Sequence, residues 1–233
     1  MIKVAYCLSG ESRSLGVWNT HEKYIIEPNN ADKFLHTWKQ NQTEPSSSPF
    51  LERGNWRPLV YSNNETIATI NPLSYIIESK EKLDPDIFKD IERPEEWSGV
   101  VPRDRCFFMW RGWFLAFKCM ELYGKYDVVI RSRSDILFSS ELPFPLTELK
   151  ENTIYIPEGN DGGGITENIS VCDWFAVGRK DAMKKYCSIY HCVGEYMKNK
   201  IPLHPEIMLS HHLSSHELNI VRFPLNYTLH RKF

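Results

Sequence analysis

Apolar and polar positions divide the chain into short buried strands, punctuated by turn residues, and a few longer helical stretches. The chain opens on IKVAYCLSG, an apolar run that stops at Gly10. A run with no polar face predicts a strand buried on both sides, ending in a glycine turn. ESRSLGVWNTHEKYII then predicts a loop and a helix, ADKFLHTWK a second short strand, and PLVYSN another. Residues 41–58 are rich in proline, serine and asparagine and read as a surface loop. SYIIESKEKL is weakly helical, and DIERPEEWSGVVPRD is irregular. The clearest helix covers 103–123, RDRCFFMWRGWFLAFKCMELY, with Asp104 as its cap and Gly124 as its stop. It is apolar on most sides, which predicts a central, buried helix.

YDVVIRSRSDILF then reads as one central strand, ELPFPLTEL as a proline-rich connection and NTIYIP as a strand. GNDGGGITENIS is a glycine-rich loop, CDWFAVG a strand, 179–198 a helix, HPEIMLSHHLSSHEL a helix with Pro205 in its first turn, and NIVRFP a last strand. Strands alternating with helices predict an α/β fold: one domain over 1–233 with a mostly parallel central sheet flanked by helices. Such sheets bind ligands at the carboxyl ends of their strands. That rule directs attention to LSGESR and RSRSD.

Composition narrows the function classes. The chain is 42% apolar and 25% charged, with a net charge of −2. This excludes a disordered chain and gives no general attraction to nucleic acid or anionic membrane. No stretch approaches the ~20 apolar residues of a membrane span, and the N-terminal run turns polar too soon for a signal peptide. A cytoplasmic protein is therefore expected, in the host cytoplasm if a virus encodes it. No apolar arm calls for a dimer, so a monomer is expected. The six cysteines have no paired zinc spacing and read as reduced core residues.

Four places carry candidate chemistry. Ser9, Gly10 and Arg13 end the first strand, where a glycine admits close backbone approach and an arginine can grip phosphate. Arg131, Arg133 and Asp135 share one face if their strand continues. Two cations beside a carboxylate suit a diphosphate bridged by a divalent metal, with Asp135 as hard oxygen ligand. The alternative is a salt-bridge knot that holds the sheet. Asp173, after the glycine loop, offers an acid–base group, and Glu206 lies in the first turn of its helix. His211 and His212 are adjacent and so face different ways; His212, or His230 near the C-terminus, could bind metal. Aromatic residues crowd the start of the main helix, beside Arg103, Arg105 and Met109. HExxH, P-loop, GxGxxG and GxSxG signatures are absent.

VAYCLSGESRS, ADKFLHTWK, the segment FFMWRGWFLAFKCMELYGKYDVVIRSRSDILF, CDWFAVG and PEIMLSHHL occur in this order over nearly the whole chain. Together they resemble the small GT-A-like nucleotide-sugar glycosyltransferases of bacterial surface-glycan clusters and large DNA viruses, chlorella viruses among them. The resemblance implies a single GT-A-like (Rossmann-like) domain that moves a sugar from a nucleotide-diphosphate donor, by default UDP-glucose, to a glycan or glycoprotein acceptor. It implies Mn2+ or Mg2+ held by an Asp-x-Asp motif. Here that triplet is Arg133-Ser134-Asp135, so its first acid is replaced by arginine. Ser9, Gly10, Arg13, Arg103, Arg105, Met109, Arg131 and Arg133 would line the donor site. Asp135, His230 and His212 are the metal candidates, and Asp173 and Glu206 fall at the sugar or acceptor side. The resemblance leans towards retention; an inverting reaction would need Asp173 as base. Two alternatives stay open: a non-catalytic nucleotide-sugar or glycan-binding protein, and another metal-dependent nucleotidyl or phosphoryl transferase.

Overall fold

The computed structural model describes residues 2–13, 15–45, 59–80, 103–159 and 170–230, and for 44, 45 and 103–105 the backbone alone. Most of the expected loop at 41–58, the irregular segment before residue 103 and most of the glycine loop at 159–170 lie outside the described residues.

The core is a seven-stranded sheet. Its strands are β1 (Val4–Gly10), β2 (Asp32–Trp38), β5 (Ser74–Glu78), β6 (Val128–Ser132), β8 (Thr153–Pro157), β9 (Ala176–Arg179) and β10 (Asn219–Phe223). Their order is β10-β8-β9-β6-β1-β2-β5, and β9 runs against its two neighbours while the other pairings are parallel. The mostly parallel α/β sheet expected from the sequence is thus present. The chain moves outward from β1 through β2 to β5, then returns to lay β6 on the other side of β1. The order therefore switches direction between β1 and β6, and the crevice at their carboxyl ends is the topological switch point of the sheet.

Strand alternation divides the interior in two. On one face Ala5 and Cys7 of β1 and Val129 of β6 pack under α4 (Arg103–Tyr123), α5 (Lys180–Cys187), α6 (Ile189–Lys198) and α7 (Pro205–Ser215). On the other, Val4, Tyr6 and Leu8 and their neighbours Val128 and Ile130 pack against the helical passage of 15–29. That passage is a chain of short turns which includes α1 (Trp18–His21) and α2 (Glu27–Asn29). Both faces of the central strands are covered, which is why β1 and the start of β6 read as apolar runs. Within α4, Gly112 allows close approach: a β-carbon there would lie 3.1 Å from His36 Nδ1 and 3.3 Å from Ser9 Cβ.

Several elements differ from expectation. SYIIE forms the edge strand β5, with Tyr75 and Ile77 half-exposed on its outer side; a short apolar run does not separate helix from strand by periodicity. PLVYSN contributes only β4 (Leu59–Val60), paired with β3 (Glu44–Pro45), and then leads into α3 (Asn63–Ile70). The signal for α3 is Ser62-x-x-Glu65, a complete capping box that satisfies two otherwise orphaned donors. The 179–198 helix is two helices meeting at Ser188. CDWFAVG is extended in the sheet only from Ala176. The segment YDVVIRSRSDILF is two strands, β6 and β7 (Ile136–Phe138), parted by a turn at Arg133–Asp135. β7 leaves the main sheet and pairs with β11 (Tyr227–Leu229).

Ile130 is wholly buried in β6, whereas Ile220 on edge strand β10 is 37% exposed. Ile130→Ala should destabilise the protein by about 2–5 kcal/mol. Ile220→Ala should cost less than about 1 kcal/mol. Urea denaturation of the two variants checks which strand is central.

Candidate functional site

The switch-point crevice is built from the loop after β1 and the turn after β6. Gly10 has φ +116°, a backbone conformation open to glycine and strained for other residues. The loop it starts is fastened to the β6–β7 turn by one hydroxyl. Ser134 Oγ accepts from the Arg13 N–H at 3.3 Å and donates to the Glu11 carbonyl at 3.2 Å. Ser12 Oγ lies 3.3 Å from Thr37 Oγ1 and so ties the same loop to β2. Arg13 also bridges to Val60, bringing the β3–β4 pair against the loop.

Charges are paired across this floor. Arg13 is held by the Glu11 carboxylate, whose other oxygen takes Lys80 Nζ at 2.5 Å. Burial opposes ionisation of Glu11, but the two cations outweigh it and hold its pKa down to about 2. Arg133 grips Asp135 with two bonds, Nε to Oδ1 at 2.8 Å and Nη2 to Oδ2 at 2.7 Å. This bidentate geometry needs the turn. Had the strand continued, the two side chains would have stood parallel on one face instead of closing on each other. The β7–β11 pairing then brings the C-terminal segment to this turn, and the His230 N–H donates to the Asp135 carbonyl at 2.7 Å.

Arg131 lies deeper. It is 2% exposed, its guanidinium carbon sits 4.0 Å from the centre of the Trp113 ring, and it donates to the Asp173 carbonyl. Trp113 in turn stacks on Tyr186 at 5.1 Å. Arg131 therefore supports the crevice from beneath while Arg133, with a quarter of its side chain exposed, reaches its surface.

Asp173 and Glu206 meet beside this arrangement. The Val171 N–H donates to the Glu206 carbonyl at 3.3 Å, and His204 Nδ1 lies 2.9 Å from Glu206 Oε2. Burial first, then the neighbouring Glu206 charge, raise Asp173 to about 6 against the pull of Arg133 and Arg131. A carboxyl poised near neutrality can take a proton from a hydroxyl.

The structure thus brings together Gly10, Arg13, Arg133, Asp135 and His230, with Arg131, Asp173 and Glu206 adjoining. Ser9 turns inward, its Oγ buried against α4 without a hydrogen-bond partner among the described residues. Met109 packs at the edge of the core. The side chains of Arg103 and Arg105 lie outside the described residues. His212 is not brought to the crevice. It is wholly buried two helical turns beyond Glu206, with Nδ1 2.9 Å from the Tyr196 hydroxyl and Nε2 2.7 Å from the Lys185 carbonyl. Both ring nitrogens serve the packing of α5, α6 and α7, and burial lowers its pKa to about 4.

Sequence reasoning missed Glu11 and Ser134. Their only signal was position, one acid two residues before Arg13 and one hydroxyl inside the RSD triplet. Comparison with protein-family models gives no match, and no curated protein matches the chain.

The two shifted carboxyls give opposite pH signatures. Asp173 has a raised folded pKa, so its favourable contribution is present below its unfolded value near 3.9 and lost as pH rises through about 6. Asp173→Asn should therefore gain stability relative to wild type between about pH 4 and pH 7. Glu11 has a depressed pKa, so its contribution is present above about 4.3 and lost as pH falls towards 2. Glu11→Gln should destabilise at neutral pH, and the difference from wild type should shrink in acid. Urea midpoints across pH check both signs.

Proposed function

We propose that this protein is a glycosyltransferase that takes a sugar from a nucleoside-diphosphate donor, a UDP-hexose such as UDP-glucose by default, and passes it to a glycan or glycoprotein acceptor. The observation that carries the reading is the switch-point crevice. Arg13, Arg133 and Asp135 converge there on loops from β1 and β6, with His230 beside them. Open α/β sheets bind nucleotides at such a point, and the ordered sequence segments that resemble GT-A-like transferases fall on the same loops. GT-A names the expected fold variant.

A diphosphate leaving group must have its developing charge neutralised. Arg13 and Arg133 suit this, since each guanidinium can leave its carboxylate partner for phosphate oxygens with the same fork geometry. Asp135 would be the carboxylate ligand for Mn2+ or Mg2+, and His230, whose backbone N–H bonds the Asp135 carbonyl, is the further candidate. This fits a hard cation whose remaining ligands come from the diphosphate and water. Such an ion would supply Lewis-acid stabilisation of the leaving group when bound. Asp173 would position or deprotonate the acceptor hydroxyl, burial first and then the Glu206 charge keeping its proton affinity high. These roles accommodate a retaining reaction, in which Asp173 only positions, as well as an inverting one.

One observation favours a second reading. Asp135 is already paired on both oxygens by Arg133, the arginine that replaces the first acid of the triplet. A protein that binds a nucleotide sugar through arginines, without metal or turnover, would look the same. The two readings separate in a donor panel of UDP-, GDP- and dTDP-sugars, with and without Mn2+. The transferase reading expects Mn2+-dependent release of one nucleoside diphosphate, reduced on the order of a hundredfold or more in Asp135→Ala. Binding that ignores Mn2+, with no release in the presence of acceptor glycans, would establish the binding protein. No nucleotide-sugar binding at all would remove both.

A further inference from the structure

The other end of the sheet carries a second cluster that the proposed transferase does not use. α7 ends at Ser215, and His216 caps it three residues before β10 begins. His212 and His216 are one turn apart on this last stretch, and α6 packs against it, presenting Cys192. One ligand atom from each of Cys192, His212 and His216 lies within 4.8 Å of the others. The two imidazole rings are 4.5 Å apart. The Lys185 side chain reaches both the His216 carbonyl and Asn152, the residue before β8 begins, which fixes this cluster at the amino-terminal edge.

We propose that Cys192, His212 and His216 form a binding site for a borderline-soft divalent metal, with Zn2+ as the ion of choice. Two features carry this. The first is spacing: His-x3-His on one helical face presents two imidazoles to one point, and a thiol from a facing helix adds a ligand of the type Zn2+ prefers over Mg2+ or Mn2+. The second is the orientation of His212. Its Nε2 faces the Lys185 carbonyl at 2.7 Å and must donate there, which leaves the lone pair on Nδ1, on the side of the cluster. A backbone carbonyl that fixes the distal N–H is the usual support of a metal-binding histidine.

On coordination the Cys192 thiol loses its proton to solvent, and the metal bonds the resulting thiolate and two neutral imidazoles. The Tyr196 hydroxyl gives up its bond to Nδ1 and turns to the fourth position or to solvent. Zn–S near 2.3 Å and Zn–N near 2.0–2.1 Å place tetrahedral ligand atoms roughly 3.3–3.6 Å apart. The cluster closes by about an ångström to reach this. Cys192 and His216 are partly exposed, so the ion has an entry path. The bound ion would clamp α6 to α7 far from the crevice, as a structural centre.

Co2+ titration of the full chain tests this directly, because a thiolate ligand gives a charge-transfer band in the near ultraviolet. Wild type should show the band at one equivalent and lose it on adding Zn2+. Cys192→Ser should abolish it, and His216→Ala should weaken Co2+ binding at least about tenfold. His211→Ala, on the neighbouring residue, should leave both band and affinity unchanged. Circular dichroism of each variant separates loss of the site from loss of the fold. Absence of the band in wild type, or its persistence in Cys192→Ser, would overturn the assignment.

Discussion

A guanidinium buried against an indole ties the carboxyl end of β6 to the segment that carries Asp173. Arg131 points from β6 into the α4 side of the core, covers Trp113 at 4.0 Å and donates to the backbone of Asp173. A desolvated cation–π contact contributes roughly 2 kcal/mol, against a burial penalty of several kcal/mol for the ion. The contact alone does not offset that penalty. The Asp173 carbonyl bond and the negative field of Asp173 are needed as well. The chain from Val171 to Asp173 is consequently bound to β6, and Glu206 is bound to that chain. An acid pair beside the crevice follows from a single cation beneath it.

The second constraint is topological. Parallel strands that fan out in both directions from β1 and β6 leave a gap between the loops that follow them. Here the gap is bridged by Ser134, and its electrostatics are balanced in pairs, Glu11 with Arg13 and Lys80, Arg133 with Asp135. Each pair is a ready exchange: an incoming diphosphate can replace a carboxylate on an arginine at little cost in geometry. The arginines of the two loops are thus held in place by carboxylates that a diphosphate could replace.

Much of this was legible in the sequence, and the limits have physical causes. β1, β8 and the first half of β6 show as apolar runs because they are buried on both faces. α4 shows because it is long and ends at Gly124. β5 did not, since an edge strand five residues long has no period that separates it from a helix. The RSRSD segment was found but its geometry was not. Period-two alternation placed Arg131, Arg133 and Asp135 on one face, whereas the Ser134 bonds to the β1 loop end the strand at Ser132 and fold Arg133 onto Asp135. His230 and Asp135 were each singled out, but only the β7–β11 pairing joins them. His212 was singled out for its type, and its surroundings assign it to the far end of α7. The His212-x3-His216 spacing was present in the sequence as well. Its meaning depends on Cys192, which arrives only when α6 packs on α7.

The central claim is that the loops after β1 and β6 together bind a nucleoside diphosphate. Amide hydrogen exchange on the full chain, with and without UDP and Mn2+, tests it most directly. The account predicts slowed exchange at residues 10–13 and 132–136, and unchanged exchange along α6 and the edge strand β5. Unchanged exchange at both loops with UDP in excess, or protection confined elsewhere in the sheet, would contradict it.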